Sequence, residues 1–373
     1  MEALILSCGT GGGHNSAGKA ITEELKRRNH NAVMINPYDL RSKKLAGCIN
    51  NAYISLAQKA PRFFGVVYGA GQLYRKLPFR SPVYFINRRM VSTLGEYLTE
   101  NHFDIIIMTH LFPAEIITNM KSTSIAVPKT MFIGTDYTCI PFTEETNCDV
   151  YVIPSSEQAD NYINKGIPKE KLYPLGIPVL SRFSENTNRD IIRKKLGLDL
   201  NKKYILVSGG SMGGGGIKKV IKILSSIIAD FKNTELIIIC GNNKKLYNKL
   251  QNADYPKVTV LEYTENMAEY MKAANLFVTK PGGLSSTEAA VSKVPMLHTA
   301  AIPGCETLNA EFFSKNGMST FCKTSRKDLT DAIKIINDEK ACFDMVENQR
   351  KKVNTKTAAD ICNLAEKLAG YKN

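Results

Sequence analysis

Short apolar runs alternate with amphipathic segments along the whole chain, which predicts alternating strands and helices. An apolar run from Ala3 to Ser7 precedes a glycine-rich stretch, and apolar residues at helical spacing continue from about Asn15 to Leu25. The same order recurs about 200 residues later, with a strand at Tyr204 to Ser208 and a helix at Ile217 to Phe231. Strands joined by helices pair in parallel, so the pattern predicts an α/β protein of two Rossmann-like domains in series.

Apolar runs without a helical period predict further buried strands. They lie at Ala32 to Ile35, Ile105 to Met108, Met131 to Ile133, Val150 to Ile153, Glu235 to Cys240, Asn275 to Thr279 and Pro295 to His298. The polar stretch from Ser181 to Lys203 is the predicted linker region.

Each of the two glycine-rich loops stands between a predicted strand and a predicted helix. Such a loop presents backbone N–H groups at a helix N-terminus, where they can bind an anion. Neither Gly9 to Gly13 nor Gly209 to Gly216 has the lysine of a P-loop or a complete GxGxxG fingerprint with its acidic partner. NAD binding is therefore weakly supported, whereas a diphosphate site at the second loop is expected; a tight turn without a ligand is the alternative.

His14 ends the first glycine loop, just before the predicted helix. An imidazole there is expected to be exposed in the cleft that the loop faces, where it could act as general base toward an alcohol. The alternative is a histidine that caps the helix or packs within the loop.

Two further polar motifs follow predicted strands near the C-terminus. Lys280 to Ala290 brings small residues to a helix start, and Glu288 one turn later could accept hydrogen bonds from two vicinal hydroxyls such as those of a ribose. Beyond the strand at Pro295 to His298, Glu306 and Asn309 stand three residues apart, on one face of a turn.

Charge is concentrated in one part of the chain. The net charge is +14, and residues 41–90 hold ten Lys or Arg, no Asp or Glu, and eight aromatic residues. Basic and aromatic side chains without acidic neighbours favour a surface that lies on anionic lipid headgroups. A solvated basic face with ordinary core aromatics is the alternative, and nucleic acid is disfavoured because neither a zinc finger nor an RNP-type signature is visible.

Composition excludes several classes. The chain is 43% hydrophobic and 23% charged, which is ordinary for a globular protein. Nine cysteines without CxxC pairs indicate neither a disulfide framework nor a zinc site, and they fit a reducing cytosol. The N-terminus has no basic region of a signal peptide, and no apolar run approaches 18 residues. A cytoplasmic location, peripheral on the inner face of the cell membrane, is expected.

The motifs together resemble the monogalactosyldiacylglycerol synthase and processive diacylglycerol glycosyltransferase family, related to the peptidoglycan lipid-intermediate N-acetylglucosaminyltransferase. The resemblance rests on GTGGGHNSAGKAI, KPGGLSSTEAAVSKVP and PGCETLNA. It implies a GT-B fold, with Rossmann-like domains at 1–181 and 182–345 facing across a cleft, and a C-terminal helix, 346–373, that packs back on the first domain. It also implies inverting transfer from a UDP-sugar to diacylglycerol without a metal, which agrees with the lack of a DxD motif.

Carried over by position, the resemblance assigns roles to individual residues. His14 and Asp136 are the expected catalytic residues, with Gly11, Gly12 and Gly13 forming the acceptor loop. The expected donor-binding residues are Gly209, Gly210, Ser211, Gly213, Tyr263, Met267, Gly283, Ser285, Ser286, Thr287, Glu288, Glu306 and Asn309. The diphosphate is expected near the glycines and Ser285 to Thr287, the ribose at Glu288, the uracil at Tyr263 and Met267, and the sugar at Glu306 and Asn309. The expected membrane contacts are Arg62, Phe63, Phe64, Arg75, Lys76 and Arg80, and no metal ligand is assigned.

Two positions depart from the family pattern. Cys305 stands where the donor signature usually has Gln, which leaves the hexose open. Tyr137 leads into Thr138 and Cys139 where the diacylglycerol enzymes tend to have His and, further on, Trp, which leaves the acceptor pocket open. The predicted function is hexose transfer from a UDP-hexose to diacylglycerol; N-acetylglucosaminyl transfer to a polyprenyl-linked intermediate and a non-catalytic UDP-sugar sensor are the alternatives.

Overall fold

The structure is a computed structural model, and it describes residues 1–9, 12–44, 46–47, 61–75, 79–211, 216–253 and 255–371. Within these ranges the side chains of 61–64 and 67 are outside the description. The chain forms two compact units, one of Met1–Leu180 with Lys356–Asn373 and one of Ser181–Thr355.

The first unit is built on a parallel sheet with the strand order β2-β1-β3-β4-β5-β6. Its strands are β1 (Glu2–Leu6), β2 (Asn31–Ile35), β3 (Ile105–Met108), β4 (Lys129–Ile133), β5 (Val150–Val152) and β6 (Leu172–Tyr173). Successive side chains point to opposite faces of a strand, so Leu4 and Ile106 enter one core and Ile5 and Ile107 the other. Both faces are covered, which is why these strands read as continuous apolar runs.

The second unit repeats the plan with the order β12-β11-β10-β7-β8-β9, again with parallel pairs. Its strands are β7 (Lys203–Ser208), β8 (Thr234–Ile239), β9 (Val258–Leu261), β10 (Leu276–Thr279), β11 (Met296–His298) and β12 (Thr320–Phe321). Read from β9, this is the 3-2-1-4-5-6 order of a dinucleotide-binding fold. The prediction of two Rossmann-like domains with parallel sheets is confirmed.

The helices connect successive strands. They are α1 (Gly12–Arg27), α2 (Pro37–Arg41), α3 (Pro61–Tyr74), α4 (Pro82–Arg88), α5 (Val91–Glu100), α6 (Leu111–Met120), α7 (Ala159–Ile163), α8 (Ser181–Ser184), α9 (Arg189–Lys195), α10 (Ile217–Ile227), α11 (Lys244–Gln251), α12 (Met267–Ala273), α13 (Gly283–Val291), α14 (Cys305–Lys315), α15 (Arg326–Ile333), α16 (Glu339–Lys352) and α17 (Thr357–Leu368). Among the described residues, no helix is long and apolar enough to cross a bilayer.

The last helix, α17, packs on α1 of the first unit. Arg28 forms an ion pair with Glu366 at 3.1 Å, and the Cys362 side chain lies in the same core as Ile21. The predicted boundary at 345/346 falls inside α16, which belongs whole to the second unit, so the returning segment begins at Lys356. At its start, Thr357 Oγ1 donates to the Leu175 carbonyl at 3.0 Å.

A buried carboxyl lies between α4 and α6 in the first unit. Glu115 is fully buried, accepts a hydrogen bond from Asn87, and Asn87 in turn accepts one from the Tyr38 hydroxyl. Burial raises the pKa of Glu115 to about 8, because the charged form loses its hydration.

Each sheet has one point where its strand order changes direction, between β1 and β3 in the first and between β7 and β10 in the second. Loops from the two neighbouring strands leave in opposite directions there and open a crevice at the carboxyl ends, where ligands of such sheets bind. The two glycine loops follow β1 and β7, and the motif that begins at Lys280 follows β10, so these three motifs lie at the two points.

Candidate functional site

In the first unit, His14 lies at the crevice between β1 and β3. The helix α1 begins at Gly12, so His14 is inside its first turn rather than before it, and its side chain is half-buried rather than exposed as expected. Its Nδ1 donates to the carbonyl oxygen of Thr109, just after β3, at 2.8 Å. The Thr135 hydroxyl, just beyond β4, lies 3.0 Å from the same nitrogen.

These contacts define the protonation state of His14. A carbonyl oxygen only accepts, so Nδ1 carries the hydrogen, and in the neutral ring Nε2 keeps its lone pair. Burial lowers the pKa of His14 below its usual 6.5, while the carboxylate of Asp136 and the bond to Thr109 act in the opposite direction. The ring is therefore neutral at pH 7 and able to accept a proton, and Asp136 favours the cation that would form.

His110 is a residue that sequence reasoning missed. Its ring meets that of His14 edge to face, with 4.5 Å between centroids, and its Nδ1 accepts the N–H of Phe112 at the start of α6. Burial and the neighbouring His14 hold the pKa of His110 well below its usual value. The feature of the sequence that could have identified His110 is its position just beyond the strand Ile105 to Met108.

The two predicted catalytic residues line the same small cavity. His14 and Asp136 are joined there by Thr109, His110 and Thr135. Of the predicted acceptor loop, Gly12 and Gly13 are the first residues of α1 and half-buried, whereas Gly11 lies outside the described residues. The catalytic roles of His14 and Asp136 stay predictions.

In the second unit, the glycine loop after β7 approaches the loop after β10. Gly210 has a left-handed backbone, with φ of 77°, and a Cβ there would lie 3.9 Å from Lys280 Cε and 4.0 Å from Ser285 Oγ. Gly209 and Ser211 flank it, and Gly213 lies outside the described residues. The two loops thus border the crevice between β7 and β10, where a diphosphate was expected.

The helix α13 begins at Gly283 on this crevice, and its first-turn N–H groups are available to an anion. The Ser286 and Thr287 side chains are buried: Ser286 Oγ bonds His298 Nε2 at 3.0 Å, and Thr287 Oγ1 donates to the Gly283 carbonyl at 2.7 Å. Of the three residues expected near the diphosphate, only Ser285 therefore offers its hydroxyl to a ligand.

Glu288 is half-buried on the second turn of α13. Its carboxyl group has no hydrogen bond or ion pair with any described residue, which leaves both oxygens for a ligand. Burial raises the pKa of Glu288 to about 8, and the charge of Arg182 opposes that rise. This geometry fits the predicted contact with a ribose diol.

The predicted sugar contacts require a correction. Asn309 is fully buried and donates to the Pro281 carbonyl at 3.1 Å, and Glu306 pairs with Lys280 and accepts the N–H of Ile302 at 2.9 Å. Both residues hold the loop after β10 in place, because their polar atoms are used inside the protein. A direct contact of Asn309 with a sugar is not supported by this geometry.

The predicted uracil contacts follow β9. Tyr263 is 55% exposed in the loop before α12, and Met267 is half-buried as the first residue of that helix. An exposed aromatic ring at the carboxyl end of this sheet can stack on a base, and the role of these two residues stays a prediction.

The predicted membrane surface is only partly described. Arg62, Phe63 and Phe64 lie in α3, but their side chains, like Lys76 as a whole, are outside the description. The predicted membrane contact of Arg75 is corrected, because both oxygens of Glu144 bind its guanidinium and leave its side chain 8% exposed. Arg80 is exposed and donates to the Glu145 carbonyl at 2.6 Å.

Apolar side chains near α4 are exposed next to basic ones. Phe79 is 68% exposed, Phe85 55% and Ile86 57%, and the exposed Arg88 and Arg89 follow directly. This α4 surface, defined by these five residues, carries the apolar and cationic character that the composition of residues 41–90 predicts.

In the described part of the chain, no three His, Cys, Asp or Glu residues are grouped so that they could hold a metal ion. The expectation of a metal-free donor site stays a prediction.

Comparison with known proteins gives matches to both units. Residues 14–179 match the family described as monogalactosyldiacylglycerol (MGDG) synthase, and residues 188–352 match glycosyl transferases group 1. The processive diacylglycerol beta-glucosyltransferase of Staphylococcus carnosus is 27% identical over 94% of this chain and 88% of its own length. The enzyme of that name from Bacillus subtilis is 27% identical over 93% of this chain and 90% of its own.

Solved structures share the fold. MurG of Acinetobacter baumannii superposes with a TM-score of 0.64 at 14% identity, covering 98% of this chain and 99% of its own. The rhamnosyltransferase SpnG, complexed with thymidine diphosphate, gives 0.66 at 12% identity, covering 98% and 100%. These matches confirm the GT-B fold class, and the sequence matches confirm the resemblance and the glycosyltransferase class.

Proposed function

We propose that this chain, a homologue of the diacylglycerol glucosyltransferases, transfers a hexose from a UDP-hexose to the free hydroxyl of diacylglycerol. The observation that carries the chemistry is the neutral His14, held by the Thr109 carbonyl with Asp136 nearby. An alcohol acceptor must lose its proton when it attacks, and the neutral imidazole of His14 at the crevice of the first unit supports the role of base.

The reaction is a single displacement with inversion. Nε2 of His14 takes the proton of the glycerol hydroxyl while that oxygen bonds to the anomeric carbon. The bond from that carbon to the diphosphate oxygen breaks, and UDP leaves with the electron pair. Asp136 stabilises the imidazolium, and its charge is already evident in the pKa of His14.

The second unit binds the donor without a cation. N–H groups of the glycine loop and of α13 stabilise the charge that develops on the leaving diphosphate, and the helix dipole adds to them. Glu288 accepts the ribose hydroxyls through oxygens that no described residue uses. The hexose to test first is glucose, because the S. carnosus and B. subtilis relatives are named for it.

The acceptor is embedded in a membrane, so the protein works at a lipid surface. The α4 surface supplies exposed aromatic and aliphatic side chains flanked by arginines, without an acidic residue between 41 and 90. Such a surface binds anionic headgroups reversibly and salt-dependently. A peripheral position on the inner face of the cell membrane is part of this proposal.

The decisive experiment incubates the protein with UDP-glucose, UDP-galactose or UDP-N-acetylglucosamine and diacylglycerol liposomes, and reads product mass. A hexosyl-diacylglycerol that His14→Ala fails to form supports the proposal. N-acetylglucosaminyl transfer to a polyprenyl-linked acceptor, with none to diacylglycerol, would establish the alternative enzyme. UDP binding without turnover on either acceptor would establish a sensor.

A further inference from the structure

A second cavity lies at the other edge of the second sheet, away from the donor loops. It encloses about 570 Å³ and is lined by Lys203, the first residue of β7, and by Asn275 and Pro295, each just before a strand. All strands of this sheet run in parallel, so their amino ends share one edge and the glycine loops leave from the opposite one. The cavity is therefore separate from the predicted UDP site.

Part of the cavity lining is apolar. Phe183, Val291 and Ile336 are buried in its lining, Val346 is half-buried, and Phe343 is 63% exposed. The volume falls within the usual range of roughly 300–1,000 Å³ for small-molecule sites, which are lined largely by apolar side chains with a few polar groups.

The charged part of the lining is mainly basic. Its charged lining residues are Arg189, Lys203, Lys272, Lys293 and Arg350 on the positive side, and Glu185 and Glu339 on the negative side. The net charge of the lining is therefore positive, and an anion would be attracted to it.

Most of these cations have no carboxylate partner among the described residues. Lys203 bonds the Ile336 carbonyl at 3.1 Å, Lys272 bonds the Arg182 carbonyl at 2.6 Å, and Lys293 has no partner. Only Arg350 forms an ion pair, with Glu347 outside the cavity. Partial burial lowers the pKa of Lys272, as does the neighbouring charge of Lys293, while the charges of Glu185 and Glu269 act in the opposite direction. A bound anion would favour the charged form of both lysines.

Ser292, whose side chain is 8% exposed with a buried Oγ, closes the wall of the cavity between Val291 and Lys293. Lys293, the next residue, brings an unpaired ammonium to the same wall.

We propose that this cavity binds a small organic anion, with one carboxylate, sulfonate or phosphate group on an apolar body. The anionic group pairs with Lys293 and faces Lys272. The apolar body lies against Val291, Ile336 and Val346. The site works independently of the glycosyl transfer proposed above.

The test titrates the full-length protein with 8-anilinonaphthalene-1-sulfonate and, separately, with N-phenyl-1-naphthylamine, which has the same rings without the sulfonate. Fluorescence is expected to show one saturable sulfonate site per chain. In the double variant Lys272→Gln/Lys293→Gln, affinity for the sulfonate falls at least tenfold, while affinity for the neutral dye changes less than threefold.

Matched variants distinguish an effect at the site from an effect of total charge and from a loss of folding. Lys249→Gln/Lys327→Gln makes the same charge change at exposed positions of the same unit. This control is expected to leave the affinity for each dye within twofold of the wild-type value. Val346→Phe narrows the cavity, so both dyes bind more weakly, and circular dichroism checks that each variant is folded.

Equal sulfonate affinity in the two double-lysine variants would overturn the proposal. Competitive displacement of the dye by UDP would also overturn it, because the dye would then occupy the donor crevice. Loss of dye binding without loss of glycosyl transfer leaves the proposed function intact, so the two proposals fail separately.

Discussion

Replacement of Glu115 by Gln is expected to make the stability of the protein less dependent on pH. Glu115 is fully buried, and its pKa is raised from 4.5 to about 8. Between these values the folded protein keeps a proton that the unfolded chain releases, so stability falls as pH rises. The slope is about 1.4 kcal/mol per pH unit, or about 2.7 kcal/mol between pH 5.5 and 7.5.

Gln keeps the shape of Glu115 and can accept the hydrogen bond from Asn87, but it does not titrate. The measurement is the free energy of unfolding by urea at both pH values, for wild type, Glu115→Gln and the exposed control Glu96→Gln. The advantage of Glu115→Gln over wild type should grow by about 2–3 kcal/mol from pH 5.5 to 7.5. Taking the difference removes other titrating groups such as Glu288, and a difference that stays constant with pH would refute the reasoning.

Three further predictions concern function. His14→Ala should bind UDP-hexose like wild type, because the donor loops lie in the other unit, while its turnover falls about 10²- to 10⁴-fold, measured on diacylglycerol liposomes. Glu288→Ala should weaken UDP binding by about 1–3 kcal/mol in calorimetric titrations, since the ribose hydroxyls lose their hydrogen-bond partner, and EDTA should leave wild-type affinity unchanged. Charge reversal at Arg88 and Arg89 together with Phe85→Ser should weaken binding to phosphatidylglycerol liposomes, which should also fall with rising salt, and should not affect UDP affinity.

Each of these has its own contradicting result. Near-normal turnover in His14→Ala would make His14 structural and Asp136 the preferred base. Unchanged UDP affinity in Glu288→Ala would remove Glu288 from the ribose role, and donor affinity that collapses on chelation would refute metal-free binding. Equal binding to phosphatidylcholine and phosphatidylglycerol liposomes would refute the electrostatic account of attachment, and tight, salt-sensitive RNA binding would favour the nucleic-acid alternative.

The strands predicted from sequence are those that are buried on both faces. Ile105–Met108 was predicted to the residue, because four consecutive buried apolar residues leave no helical period. Strands β6 and β12 are two residues long, and β12 is exposed, so neither leaves an apolar run to detect. The helix predicted to reach Phe231 ends at Ile227 and continues as a 3₁₀ turn, a change that hydrophobic spacing does not encode.

The site was predictable where chemistry is local and not where it depends on distant partners. A histidine at the end of a glycine loop is visible in the sequence, but its bond to Thr109, 95 residues away, follows from the sheet order. In the same way, the sequence presents Arg75 as an unpaired cation, because its partner Glu144 lies far away along the chain. Small residues at a helix start predict an anion site, yet the sequence does not tell that Ser286 bonds His298 while Ser285 stays free to face the crevice.

The return of α17 to the first unit has a consequence for synthesis of the chain. Ile361, Cys362 and Ala365 complete a core that also contains Ala3, Ile5 and Ile21, so the first unit to emerge from the ribosome lacks one wall until the last helix has emerged. The second unit, Ser181–Thr355, is contiguous and can fold as soon as it is translated. The nascent N-terminal segment therefore carries an open apolar face until α17 is made, and the order of completion is the reverse of the order of synthesis.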